Sequence, residues 1–414
     1  MKLKIHRGTG EVRYNLVEIA TKATKVILDC GRDLPPNDGD LCNDIIDIPG
    51  LTSCDSAYSA VFVTQHNADR GDLIGCINSD IPIYMNKDTK NVLDVIADFK
   101  GAPLPRVDKY LEHGRKEQIG DISVLPVCVD HRVFGRMLLL IEAGGQKLLY
   151  TDGFKQIDPA YYAMLGNVDV LLCETMNFDA NDVGSISFAE VEDEAARIMR
   201  QTNGQAFVLC SPTDAERVRH IERASRASGR TLAIDPFMKA IQEKVTSPLF
   251  VGPVGFLPYT SAGITPRIQK YISANNDVDF VDAQTFSSLE IVAKMTNLTF
   301  MVRPGMEDFL KRLDKLVTLT GSVLINFMWE GYEYSKPVKE LVNLCCSLGI
   351  KIETLHACDF AYRKQLKTAI MRLEPDMLIP VQFGCGSVFL DYSKHLWVHN
   401  GVEYGSGEVS PPPR

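Results

Sequence analysis

The chain has 414 residues, of which 45% are hydrophobic and 23% charged, and its formal net charge is −9. This length exceeds what one core of average size occupies, so we expect two lobes. The negative charge argues against indiscriminate attachment to nucleic acid or to an anionic membrane, although it is compatible with a local basic groove.

The sequence shows neither a membrane span nor a secretion signal. No segment approaches the roughly eighteen uninterrupted apolar residues of a spanning helix, and the basic start MKLKIHRGTGEV has no apolar core behind it. We therefore expect a cytoplasmic protein without membrane contact. The 11 cysteines are scattered without a CxxC pair, which predicts free thiols, with Cys30, Cys173 and Cys210 in or beside apolar runs.

Short β-rich runs dominate the first part of the chain and later alternate with helical patterns. The predicted strands are 25–30, 60–65, 81–85, 138–143, 147–151, 168–174, 205–211, 231–235, 322–327, 350–356 and 377–382. Helical patterns cover 187–204, 211–230, 339–349 and 361–375. Ser187 and Glu190 have the spacing of a capping box, and Ser211 before Pro212 is a candidate N-cap.

This alternation predicts an α/β fold in which a second α/β unit is inserted into a β-rich domain. We place the first part of the main domain at 1–183 and the inserted domain at 184–349. The chain then returns to the main domain at 350–404. The last segment, 405–414, is rich in Gly, Ser and Pro and is predicted to be a disordered tail.

Polar side chains follow several predicted strands. Asp29, His131, Asp152 and Glu174 each come after an apolar run, and residues 65–70 read QHNADR directly after another. Catalytic groups of α/β proteins gather at strand ends, because the sheet holds them in place. The sequence therefore predicts a polar site at one edge of the main domain.

The order of these segments resembles the metallo-β-lactamase superfamily, and within it the β-CASP branch that includes ribonuclease J and related nucleases. The resemblance covers nearly the whole chain. It is carried by HRGTGEVRYNLVEI…VILDCG, VFVTQHNADRGDL, PVCVDHRVFGRMLLLIEAGGQKLLYTDGFK, VDVLLCET, NGQAFVLCSPTDAERVRHIERASRASGRTLAID, INFMWEGY and TLHACDFAYRKQLKTAIMRLEPDMLIPVQFG. It implies an αββα sandwich with an inserted β-CASP-like α/β lobe, and two zinc ions whose hydroxide attacks phosphorus.

The chain departs from the zinc-ligand pattern that this resemblance implies. Non-ligand residues stand at four of the family's histidine positions, namely Gln65, Asn67, Arg70 and Gln382. Asp69 and His131 match, whereas the bridging Asp falls on Gly153, one position from Asp152. In the β-CASP motifs Glu174 and His356 match, and Phe360 replaces the second histidine. With His66, the expected cleft-lining positions are Gln65, His66, Asn67, Asp69, Arg70, His131, Asp152, Glu174, His356 and Gln382.

The replacements predict loss of the dizinc centre. Amide side chains bind zinc poorly, and Arg70 brings a permanent positive charge to a place where a dication would sit. Asp69 and His131 alone cannot supply the four or so ligands that each ion needs. We therefore expect no metal cofactor. The alternative is one Zn or Mn ion held by Asp69, His131, Asp152 and His66, with His131 and Asp69 as the catalytic groups.

Most of these residues also have a plain structural interpretation. We expect His66 to be an exposed loop residue and Asp152 a solvated turn residue, although either could reach a metal. His131 is either a ligand or acid/base group, or a relic hydrogen-bonded to Asp69 or Asp152. Asp29 is expected to orient the loop through hydrogen bonds. Glu174 is expected to pair with Arg70 or another base, and His356 to end a strand.

Arg219, Arg223, Arg226 and Arg230 recur at helical spacing, which predicts one basic helix face. Such a face could follow a phosphate backbone. The alternative, which we favour, is a solvated face on which Glu216 and Glu222 pair with His220 and Arg226.

Two functions of different classes remain. The first is a catalytically degenerate protein that binds a nucleic acid, a nucleotide or a protein partner in the old cleft, or that forms homo-oligomers. The second is a residual single-metal phosphodiesterase or nuclease. Metal-free acid/base chemistry by His131 and Asp152 is a weaker third.

Overall fold

The computed structural model describes residues 1–8, 15–31, 47–67, 71, 73–129, 134–175, 188–244, 255–256, 295–328, 335–355, 361, 363–381, 396 and 398–405. The sites at Asp69, Arg70, His131, His356 and Gln382, and the predicted tail beyond Gly405, lie outside these ranges. The capping residue Ser187 also lies outside them.

Two β-sheets form the main domain. The first has the order β19-β1-β2-β3-β4-β5-β6 and the second the order β18-β11-β10-β9-β8-β7. Sheet 1 consists of β1 (Lys2–Arg7), β2 (Leu16–Ala20), β3 (Lys25–Leu28), β4 (Ala60–Phe62), β5 (Ile83–Met85), β6 (Lys109–Tyr110) and β19 (Glu403–Gly405). Sheet 2 consists of β7 (Glu117–Ile119), β8 (Ile122–Cys128), β9 (Met137–Ala143), β10 (Gln146–Asp152), β11 (Val170–Glu174) and β18 (Met377–Val381).

Each sheet is buried on both faces, as the continuous apolar runs require. In β9, Leu139 and Ile141 pack in the cluster between the two sheets, whereas Leu138 and Leu140 point outward and pack in a cluster with Leu366. The covering helices are α1 (Lys87–Lys100), the short α2 (Tyr162–Leu165) and α8 (Arg363–Leu373). The αββα sandwich predicted from the resemblance is thus confirmed.

The inserted unit has its own sheet, in which all neighbouring strands are parallel and the order is β14-β13-β15-β12-β16-β17. Its strands are β12 (Ala206–Leu209), β13 (Thr231–Ile234), β14 (Gly255–Phe256), β15 (Leu298–Val302), β16 (Val323–Asn326) and β17 (Lys351–Thr354). The helices are α3 (Phe188–Gln201), α4 (Ala215–Ala227), α5 (Pro236–Lys244), α6 (Glu307–Leu316) and α7 (Lys336–Ser347). Separate apolar clusters cover the two faces of this sheet.

The sequence-based boundary after residue 349 differs from this pairing by one strand. β17 pairs in parallel with β16, from Val323↔Lys351 to Asn326↔Thr354. Residues 351–354 therefore complete the sheet of the inserted unit, and the return to sheet 2 comes with α8 and β18.

The start of α4 also differs from the prediction. The helix begins at Ala215, and its N-cap is Asp214, whose side chain accepts a hydrogen bond from the backbone N–H of Arg217 at 3.1 Å. Ser211 instead bonds the hydroxyl of Thr213 at 3.0 Å. A carboxylate three residues later is the better acceptor for the open N–H groups of the first turn.

The described cysteines are free thiols, and Cys30, Cys173 and Cys210 are buried as predicted. Burial raises the pKa of Cys173, which leaves it in the neutral, apolar form. None of the helices in the described part of the chain has the length and apolar character that a bilayer crossing requires.

Candidate functional site

The candidate site lies where strand ends of the two sheets of the sandwich meet. Asp152 ends β10 of sheet 2, at a register shift between Tyr150 and Asp152 in the pairing with β11. Gln65 follows β4 of sheet 1, and the backbone N–H of Met137, which opens β9, donates to Thr64 O at 3.1 Å. This backbone bond ties the end of β4 to the start of β9 and brings groups from both sheets together.

Asp152 is fully buried and is bonded through both carboxylate oxygens. Its Oδ2 lies 2.6 Å from the guanidinium of Arg136 and accepts a hydrogen bond from Gln65 Nε2 at 3.0 Å. Its Oδ1 accepts one from Asn15 Nδ2 at 2.7 Å. The side chains of Arg136 and Asp152 are 2% and 0% exposed. The expectation of a solvated turn residue at Asp152 is therefore wrong.

The backbone at Asp152 is held in the left-handed region, with φ of 52°. A non-glycine residue occupies this region at some cost, and the surrounding contacts must compensate for it. The three hydrogen-bond donors around Asp152 provide that compensation. Asp152 was wrongly predicted to be solvated because an Asp–Gly pair in a sequence does not show which side chains pack over the turn.

Asp29 organises the loop that follows β4, as predicted. Its carboxylate accepts hydrogen bonds from the backbone N–H of Thr64 at 2.8 Å and from the Thr64 hydroxyl at 2.9 Å. The Tyr150 hydroxyl donates to Asp29 at 2.7 Å and accepts from Asn15 Nδ2 at 2.9 Å. Asn15 thus connects the Asp29 network with the Asp152 network, and all these side chains are buried.

His66 is buried at 2% exposure, so the expectation of an exposed loop residue is wrong. Gln65 is equally buried, and its Oε1 accepts no hydrogen bond from the residues that the structure describes. Asn67 is half-buried, and Glu174, at the end of β11, is 4% exposed. The described part of the loop after β4 therefore packs inward.

The described donors do not fit a dizinc centre. A ligating carboxylate directs a lone pair at the metal, but the oxygens of Asp152 face a guanidinium and two amides. Gln65, at a position where the resemblance implies a histidine, directs its N–H group toward Asp152, and Arg136 adds a fixed positive charge beside it. Within the described ranges no three His, Cys, Asp or Glu side chains are grouped to hold a metal ion.

Sequence reasoning missed Arg136, Asn15 and Tyr150. Arg136 had one visible signal, since it stands directly before the apolar run MLLLIEA in a fold that buries this run on both faces. Asn15 stands before β2 in the same way. An arginine at the edge of a buried strand needs a nearby carboxylate, because burying an unpaired charge is costly.

The structure separates Arg230 from the other arginines of the predicted basic face. The helix ends at Ala227, and Arg230 is buried, donating to the backbone carbonyls of Thr202 at 2.8 Å and Leu298 at 3.3 Å. Burial lowers its pKa. Its predicted place on the helix face is therefore wrong, and its role is to join β13 to its neighbours.

The remaining three arginines lie on α4, and two of them, Arg223 and Arg226, lie near acidic groups. Arg226 pairs with Glu222 at 3.2 Å, as the favoured alternative predicted. His220 pairs with Glu192 of α3 at 2.7 Å, and the side chain of Glu216, its predicted partner, lies outside the described part of the structure. Arg223 is half-exposed and lies 4.0 Å from the same Glu192.

Comparison with known proteins supports the fold. No protein-family profile matches the chain. A ribonuclease J of Sinorhizobium meliloti is 21% identical over 413 residues, which cover 94% of this chain and 67% of that protein. A crystal structure from Enterococcus faecalis V583, described as a protein of unknown function, aligns with a TM-score of 0.73 at 18% identity, over 97% of this chain and 99% of that one.

Two smaller matches come from metallo-β-lactamase-type structures. The metallo-β-lactamase fold protein YhfI of Bacillus subtilis and Zn²⁺-bound PqqB of Methylobacterium extorquens are 16% and 14% identical to the chain. Each covers 43% of this chain with a TM-score of 0.32, which is too low for a comparison of sites.

Proposed function

We propose that the chain, which is similar to a ribonuclease J over 94% of its length at 21% identity, is a metallo-β-lactamase-fold protein of the ribonuclease J-like, β-CASP type that binds nucleic acid without dizinc hydrolysis. The buried ion pair between Arg136 and Asp152 carries this proposal. The guanidinium of Arg136 neutralises the carboxylate of Asp152. Asp152 stands next to Gly153, the position at which the resemblance implies the aspartate that bridges the two zinc ions.

The energetics favour the ion pair over a metal. Separating a buried pair leaves an uncompensated charge at a cost of roughly 3–5 kcal/mol. A metal ion that recruited Asp152 would have to displace Arg136 and Gln65, and would then face the displaced guanidinium at short range. Both effects weaken metal binding, and the amides at Gln65 and Asn67 offer poor donors in return.

Nucleic acid is the favoured partner because the curated relative carries the name ribonuclease J. The protein as a whole has a net charge of −9, so binding requires a local basic surface. Arg219, Arg223 and Arg226 on α4 are the candidates for it. Their acidic neighbours Glu192 and Glu222 make this surface weaker than a row of unpaired arginines.

Metal analysis of the full chain, purified without chelator, tests the loss of the dizinc centre. We expect zinc and manganese far below one equivalent. Stoichiometric metal that is lost in His131→Ala would contradict the proposal and support a single-metal hydrolase instead.

A gain-of-metal series tests the role of the ion pair directly. Gln65→His, Asn67→His, Arg70→His and Gln382→His together replace the missing histidines. We expect these four changes to restore metal uptake only when Arg136→Met is added. Metal uptake by the variant that keeps Arg136 would show that the ion pair does not prevent metal binding.

Assays of binding and cleavage of single-stranded RNA test the second part of the proposal, that the protein binds nucleic acid. We expect the full chain to bind RNA and leave it intact. Replacing Arg219, Arg223 and Arg226 with Gln is expected to weaken binding and to reduce the salt slope by about one for each lost phosphate contact. Arg197→Gln on the neighbouring helix α3, where Arg197 pairs with Glu194 at the surface, is the matched control. Cleavage, or equal binding by the triple variant and the control, would count against this proposal.

A further inference from the structure

A cavity of about 230 Å³ opens at the end of the sandwich opposite to Asp152. It is lined from sheet 1 by β1 and β19, and from sheet 2 by the amino-terminal ends of β10, β11 and β18. These three strands run parallel to one another. Since Asp152 and Glu174 lie at the carboxyl ends of β10 and β11, the cavity is separate from the candidate cleft.

The walls of this cavity are apolar and continuous with the core. Leu3, Leu148, Ile379 and Leu396 line it and belong to the buried cluster between the two sheets. Val170 lines it as a half-buried member of the same cluster. The sheets thus leave a gap in their shared core that opens to solvent. A smaller apolar cavity, of about 150 Å³, suffices to bind benzene in an engineered protein.

Two carboxylates, Asp169 and Asp376, line the cavity, and Asp169 gives it a preferred charge. Asp169 Oδ2 accepts a hydrogen bond from the backbone N–H of Lys147 at 2.6 Å, and no cationic group of the described chain lies within 4 Å of its carboxylate. Lys2, which also lines the cavity, pairs with Glu403 at 2.6 Å. The terminal amine of Met1 bonds Gln146 Oε1 at 3.1 Å.

We propose that this cavity binds a small primary amine with an aliphatic chain. The ammonium group pairs with Asp169, and the chain lies between the walls formed by Leu148 of sheet 2 and Leu3 of sheet 1. An ammonium compensates the carboxylate, and burial of methylene groups supplies the rest of the binding free energy. The site is independent of the proposed nucleic-acid function.

Titration calorimetry of the full chain with hexylamine, hexanol and hexanoate tests the charge preference. We expect hexylamine to bind most tightly and hexanoate most weakly. Along a series of primary amines, affinity is expected to rise about fourfold for each added methylene until the chain fills the cavity. Equal binding of amine and carboxylate, or no binding at millimolar concentration, would overturn the proposal.

Two substitutions locate the site. Asp169→Asn keeps an acceptor for the backbone N–H of Lys147 and removes the charge, so it is expected to abolish the advantage of hexylamine over hexanol. Asp158→Asn is the control, since Asp158 likewise accepts a backbone N–H, that of Ala160 at 2.8 Å, outside the cavity. Val170→Phe, at the half-buried mouth, is expected to lower the affinity for hexylamine and hexanol alike.

A chain ending at Gly405 distinguishes a small ligand from the chain's own last residues, because Gly405 itself lines the cavity. We expect this truncation to leave hexylamine binding unchanged. Binding that occurs only after truncation would mean that residues 406–414 are the natural occupant, and would overturn the assignment to an amine. Unchanged amine preference in Asp169→Asn would overturn it as well.

Discussion

Arg136 and Asp152 form an ion pair enclosed by protein, and the value of that pair to stability can be measured residue by residue. Arg136→Met removes the guanidinium and leaves a buried carboxylate whose described partners are Asn15 and Gln65. We expect a loss of roughly 3–5 kcal/mol in the free energy of unfolding. Adding Asp152→Asn removes the stranded charge, so the double variant is expected to be more stable than Arg136→Met alone.

Chemical denaturation of the two single variants and the double variant provides a double-mutant cycle. Arg115→Met is a suitable control, because Arg115 pairs with Glu112 on the surface at 3.1 Å and such pairs contribute little. If Arg136→Met unfolded at the same denaturant concentration as the control, the ion pair would have no part in holding the site together.

Glu18 makes the free energy of unfolding depend on pH. Burial opposes its ionisation, but hydrogen bonds from His6 and Tyr58, each at 2.8 Å, outweigh that effect and lower its pKa below 4.5. A lowered pKa in the folded state means that the unfolded state binds the proton more readily. The stabilisation is therefore present above pH 4.5 and is lost as the pH falls through the folded-state pKa.

Measuring the free energy of unfolding of the wild type and of Glu18→Gln as a function of pH checks the direction of this pH dependence. We expect the wild type to be the more stable at neutral pH and its advantage to shrink as the solution is acidified below pH 4.5. Glu112→Gln at the surface is the control. An advantage that stays constant with pH would show that Glu18 contributes through packing alone.

At the scale of elements, Arg303 joins the two lobes. Its guanidinium bonds the buried Asp235 at 2.6 Å and lies over the ring of Phe99 in α1 and that of Phe237 in α5, at 5.0 Å and 5.5 Å. The two rings stack at 4.3 Å, in a cluster shared by α1 and α5. Planar arginine suits this position better than lysine, because it stacks and pairs at once.

Arg303→Met is expected to destabilise the protein by about 3 kcal/mol, since Asp235 loses its cation. Arg303→Lys should recover part of this loss by restoring charge without the planar stack. Thermal unfolding measures both, with Arg312→Met on the exposed face of α6 as the control. An Arg303→Met protein as stable as that control would exclude a role for the pair in joining the lobes.

Elements with strong local patterns were predictable, and those defined by partners were not. Each strand predicted from an apolar run is present, because runs of Val, Ile and Leu buried on both faces carry their own signal. β6 has two residues and exists through its pairing with β5. β15 was missed although it pairs with both β12 and β13, since a short apolar run does not distinguish a strand from a buried helix.

The whole molecule shows the same division between local and long-range information. The αββα sandwich and the inserted lobe follow from the order of segments along the chain, and both are present. Asp29 was predicted correctly, because its partner Thr64 follows from the local arrangement of two adjacent strands. Arg136 was not, although Asp152 ends the other strand of the same β9–β10 hairpin, because the sequence does not show that the packing of the two sheets buries both side chains.

The pairing of first and last strands has a consequence for synthesis on the ribosome. Val170 of β11 is aligned with Met377 of β18, and Lys2 of β1 with Gly405 of β19. At roughly 5–20 residues per second, the edge of β11 waits about 10–40 s for its neighbour while the inserted lobe is translated. The nascent sandwich therefore exposes the unpaired edges of β1 and β11 for most of its synthesis. We expect a chaperone that binds unpaired strands to act at these two edges.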